Sequence, residues 1–203
     1  MEPVTIKPPI DAQPRDPASK FHASGAPLGP TLLAFWRWAN SNLVSTAFRG
    51  NLAEFLVWCA VDGVGNVRAT WDEVDVITKD GLLVEVKSAA YLQDWGQARP
   101  SRIGWGIAPS RAWDRARGQR ADEPKRHSQV YVLCLLHNQD RDTLDPMDVD
   151  QWTFFVVATG VINRDFPNQK TLALSRIDQL VRAGDVRKVS FQALPDAVRW
   201  AAS

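Results

Sequence analysis

The polar and apolar positions of this chain fall into blocks with different periods. "TLLAFWRWANSNLVS" (Thr31 to Ser45) spaces its apolar residues as a helix does and opens after Pro30, a natural start. "FRGNLAEFLVWCAVDG" (Phe48 to Gly63) predicts a second helix that closes at Gly63. Its inner stretch, Leu52 to Val61, is apolar all round except at Glu54, the pattern of a buried helix. In "WDEVDVITKDGLLVEVKSAAYLQDW" (Trp71 to Trp95) the pattern changes. Val74, Val76 and Ile77, then Leu82, Leu83, Val84 and Val86, have the character of two core strands either side of a Lys79-Asp80-Gly81 turn. "SQVYVLCLL" (Ser128 to Leu136) and "WTFFVVAT" (Trp152 to Thr159) predict two more buried strands. Short helices are expected near Ser175–Gly184 and Leu194–Ala202. Helices at both ends of a four-strand run predict an α/β fold, a central mixed sheet of about four to five strands flanked by helices.

Composition adds limits. A chain of 203 residues, 45% apolar and 23% charged, can bury one sizeable globular core. Residues 1–30 hold seven of the 13 prolines with little apolar period, so they read as an arm or linker before a single domain over 31–203. Cys59 and Cys134 sit in apolar runs and read as core thiols of a reducing compartment. Three scattered histidines (His22, His127, His137) assemble no zinc site. The aspartates of His137–Asp150 lack the glycine and terminal glutamate of a calcium loop. With no apolar run of membrane-spanning length and no signal-peptide core, a cytoplasmic location is expected.

Charge is what disturbs the hairpin. Asp75, Glu85 and Lys87 interrupt strands that are otherwise apolar, and a buried charge needs a partner or a metal. A three-residue loop with Gly81 at positive φ would set Thr78 opposite Leu82, Asp75 opposite Glu85 and Glu73 opposite Lys87. A two-residue loop would send Asp75 to the other face. Cross-strand neighbours have Cβ atoms about 5 Å apart, so the first register brings two carboxylates together with a lysine one alternation along. Paired carboxylates with open water positions suit magnesium or manganese, and the lysine can meet a phosphate oxygen: the parts that phosphodiester hydrolysis requires. Glu54 is either a further ligand for the metal or its water, or it pairs with Arg49 or caps the helix.

A helix bearing "RGNLAE", then Asp75, then "EVK" (Glu85 to Lys87) resembles the PD-(D/E)XK nuclease superfamily, the restriction-endonuclease-like fold. The resemblance covers roughly residues 45–95. It implies a magnesium-dependent DNA endonuclease in restriction, defence or repair, with manganese accepted as well. It also implies metal held by Asp75, Glu85, Glu54 and the Val86 carbonyl, with Lys87 placing or activating the attacking water. Val74 stands where the family has its proline. Gln93 is similar to a glutamine of some helicase-associated members, although the tyrosine that follows it there is missing.

The net charge of +1 points to no partner, but its distribution does. Arg99 to Arg126 carries eight basic residues against three acids, a local +5 that leaves −4 for the rest. Arg99, Arg102, Arg111, Arg115, Arg117 and Arg120 could meet phosphates, and Trp105, with Trp95 and Trp113, could stack on bases. A solvated loop over a satellite core fits the same stretch equally well. Two further readings are a nuclease fold kept only as a DNA-binding or interaction module, and an α/β domain whose charges merely pair. One site per chain makes a homodimer, or partner proteins of a defence or repair system, natural for a double-strand cut.

Overall fold

The computed structural model describes residues 10–65, 67–68, 73–111, 113–114 and 119–203. Arg115 and Arg117 lie outside these residues, as do Trp71 and Asp72. The proline-rich arm contains a hairpin, β1 (Lys20–Ala23) and β2 (Ala26–Thr31), exposed along nearly its whole length. Helix α1 (Leu32–Asn40) follows, capped by the Thr31 hydroxyl, which accepts from Ala34 N at 3.3 Å. It is shorter than the sequence predicts and buries no residue.

Helix α2 (Thr46–Ala60) buries Arg49, Ala53, Leu56 and Val57, while Phe55 and Cys59 face outwards. The expectation that this helix is buried on all sides, with Cys59 in the core, is corrected here. The helix lies on one face of the sheet, and its other side meets solvent.

Strand β3 (Val76–Ile77) turns back into β4 (Leu83–Ala90). Short strands β5 (Gly104–Gly106), β6 (Trp113–Asp114) and β7 (Gln119–Arg120) occupy the connection to β8 (Val130–Leu136). Strand β9 (Trp152–Ala158) runs back beside β8, then come α3 (Thr159–Asp165), β10 (Thr171–Ala173), α4 (Leu174–Ala183), β11 (Val186–Val189) and α5 (Leu194–Ala202). The central sheet has the order β11-β9-β8-β4-β3, with β4 and β8 parallel and the other pairs antiparallel. It is therefore a mixed α/β fold on five strands flanked by helices.

Two apolar layers sandwich the sheet. On one face Val84, Val86, Val132, Phe154 and Val156 pack under α2 and α5. On the other, Leu133, Leu135, Phe155 and Val157 pack against Trp105, Ile107, α3 and α4. Coverage on both faces explains why β8 and β9 read as unbroken apolar runs. Among the described residues no helix is long and apolar enough to cross a membrane.

Candidate active site

The hairpin has the three-residue loop. Thr78 N donates to Leu82 O at 3.0 Å, and Gly81 N donates back to Thr78 O at 2.9 Å. Gly81 sits at φ +82°, where a side chain would be strained. Val76 pairs with Val84 and Ile77 with Leu83, so Asp75 falls beside Glu85. The regular pairing then stops. In place of a main-chain carbonyl, Asp75 Oδ2 accepts the Val86 N–H at 2.8 Å. A strand residue turns its N–H and C=O to the same edge, so the Val86 carbonyl also faces this end of β3. Glu73 does not continue the ladder to Lys87, as expected from the register, but turns its carboxylate to within 3.6 Å of His127 Nδ1.

Lys87 binds both acids. Its Nζ donates to Glu85 Oε1 and stands 3.5 Å from Asp75 Oδ2. All three side chains are about three-quarters buried, with 22% of Asp75, 21% of Glu85 and 33% of Lys87 exposed. Burial and the Asp75 carboxylate push Glu85 above the usual carboxylate range, against the pull of Lys87. Burial favours a neutral Lys87, but Asp75 and Glu85 outweigh it and hold the ammonium charged beyond its ordinary range. On β8, Tyr131 is the register partner of Glu85, and burial together with that carboxylate raises its phenol.

Glu54 lines the same cavity as Asp75 and adds to the negative charge felt by Glu85, but it bonds a different cation. Arg68 grips it with two hydrogen bonds, Nε to Oε2 and an η-nitrogen to Oε1, the latter at 2.8 Å. Of the expected alternatives, a partner for Arg49 is replaced by this pair. Arg49 instead donates to Val44 O at 2.8 Å and to Gln93 Oε1 at 3.1 Å. Among the described residues no three His, Cys, Asp or Glu side chains stand together as a metal cluster. What is assembled is two carboxylates around one cation. The Lys87 ammonium stands between the two carboxylates, and two acids on one ammonium leave a formal negative charge uncompensated. Two carboxylates and a main-chain carbonyl at one edge fit a magnesium ion that keeps several of its waters.

No protein-family model matches the chain, and no curated protein does.

The basic stretch is divided by the fold. Arg99, Arg102, Arg111 and Arg120 are exposed, as a phosphate contact requires. Trp105 is 1% exposed, with its Nε1 donating to Cys134 O at 3.0 Å and its ring edge-on to Phe155. It is a core residue and cannot stack on a base. Gln93 is likewise spent inside, accepting from Arg49 and donating to Ala90 O at 3.0 Å and Ser101 Oγ at 3.3 Å. Arg126 ties β5's continuation to α3, bonding Ile107 O, Asn163 and Phe166 O. Sequence reasoning missed Arg68, which lies in an irregular loop where no spacing rule reaches. It also missed Tyr131, although a polar-tipped ring inside "VYVLCLL" was a visible signal.

Proposed function

We propose that the chain is a metal-dependent DNA endonuclease of the PD-(D/E)XK kind, magnesium-dependent with manganese also accepted, acting in the cytoplasm in restriction, defence or repair. The observation that carries this is the meeting of Asp75 and Glu85 on one lysine at the open end of the hairpin. Asp75, Glu85 and the Val86 carbonyl would hold the ion, which when bound polarises a phosphate and acidifies a water. Lys87, which bonds both acids, would be a hydrogen-bond donor and counter-charge to a non-bridging phosphate oxygen or to the attacking water. The exposed arginines supply phosphate contacts along the strand.

The test is incubation of supercoiled plasmid and of single-stranded DNA with the purified chain in magnesium, manganese or EDTA. Cutting should require metal and fall by roughly a hundredfold or more in Glu85→Ala and Lys87→Ala, the scale of losing one preorganised charge. Cutting by both variants at the wild-type rate would overturn the assignment of roles. The Glu54–Arg68 pair favours a second reading, a DNA-binding module that keeps the fold without the reaction. Binding of DNA with no cutting in any metal would support it.

A further inference from the structure

Large apolar side chains that are exposed need a reason, and several of them converge on one place. Phe55 is 57% exposed, Val64 49%, Val67 41% and Ile77 40%. All four line one cavity of about 360 Å³ together with Trp58. Glu54, Arg68 and Asp75 stand at its polar side, so the cavity opens beside the proposed site of hydrolysis. Its volume lies at the small end of ligand pockets, enough for one ring system and not for a peptide or lipid chain.

The aromatic wall is held in place beforehand. Phe55 and Trp58 stack with ring centroids 6.1 Å apart and planes inclined by 15°. The Trp58 indole N–H is spent on Val64 O at 3.2 Å, which fixes the ring and leaves its π surface for packing. Gly63 makes room for it, because a Cβ there would come within 2.2 Å of Trp58 Cδ1. A flat, partly wetted aromatic surface, fixed by stacking and one hydrogen bond, suits a planar ring. Arg68 is 42% exposed at its side chain, and its guanidinium, paired with Glu54, lies at the same mouth.

The geometry points to a pocket for one unstacked nucleobase of the substrate strand, stacked on Phe55, with Arg68 facing the adjoining phosphate. This rests on the nuclease reading and adds its substrate form: DNA with a base free to leave the helix, single-stranded or distorted.

The test compares two fluorescently labelled oligonucleotides of equal length in EDTA, one with normal bases and one abasic throughout. The wild-type chain should bind the first roughly five- to a hundredfold more tightly, the scale of one base stacked on one aromatic ring. Phe55→Ala should abolish that preference while melting normally, since the side chain is exposed, and Phe55→Trp should keep it. Equal affinity for both oligonucleotides, no binding to either, or a preference unchanged in Phe55→Ala would overturn the proposal. The result separates from the cutting assay. Preference without cutting keeps the pocket and removes the nuclease, whereas cutting without preference does the reverse.

Discussion

Glu85 sits on a strand whose neighbours are apolar, and both burial and Asp75 favour its protonated form even with Lys87 bonded to it. In the unfolded chain it ionises at the ordinary value, while the folded chain keeps the proton to higher pH. Between those values the folded state binds more protons, so this group lowers stability as pH rises through the window and keeps it lowered above. Lys87, raised in the folded state, contributes stability that is lost only at alkaline pH, so it does not mask the effect. Glu85→Gln should therefore raise the melting temperature at neutral pH in EDTA, by the about 0.5–2 kcal/mol typical of relieving a functional site, and flatten its pH dependence above the ordinary glutamate range. Thermal melts of both proteins across mildly acid to neutral pH check this, and a lower midpoint for the variant would make Glu85 a structural ion-pair member instead. At this scale Asp75, Glu85 and Lys87 were legible because alternation and loop length fix where they point. The Arg68 grip on Glu54 was not, since it forms across an irregular loop.

At the scale of elements, the hairpin was read correctly from its turn, and the turn can be tested. A Cβ on Gly81 would meet nothing, so Gly81→Ala tests backbone conformation alone. It should cost about 1–2 kcal/mol, read as a lower denaturation midpoint, the scale for an ordinary residue in the left-handed region. No change would mean that the glycine does not set the register. Other elements escaped the pattern for physical reasons. Strand β11 is "VRKV", with two charged residues on an edge position, and β5 and β10 are three residues each, too short to show a period. Helix α2 looked apolar on every side because Phe55 and Cys59 are outward-facing in spite of their character.

For the whole molecule, the basic connection between β4 and β8 is two things at once. Ile103, Trp105 and Ile107 fill the second core layer, while Arg99, Arg102, Arg111 and Arg120 face solvent. Sequence alone weighed a nucleic-acid contact against a satellite core; the apolar residues of the stretch join the core layer, and its exposed arginines are the ones to test as phosphate contacts. Trp105→Ala should destabilise by about 3–5 kcal/mol, seen by denaturant melts, because it empties a fully buried ring. Replacing Arg99, Arg102, Arg111 and Arg120 by alanine should leave melting unchanged but lower the slope of log affinity against log salt by up to about 0.9 per lost phosphate contact on duplex DNA. An unchanged slope would remove this stretch from the DNA interface.

Whether Asp75 and Glu85 form a cation site decides the proposed activity. The direct measurement is the melting temperature of the wild-type chain and of Asp75→Asn with no metal, with magnesium and with manganese. The wild type should be stabilised by either ion, approaching about 2.7 kcal/mol when the ion is a hundredfold above its dissociation constant, and Asp75→Asn should not respond. Wild-type melting that ignores both ions would contradict the metal site, and Lys87 would then be the only cation those carboxylates were built to hold.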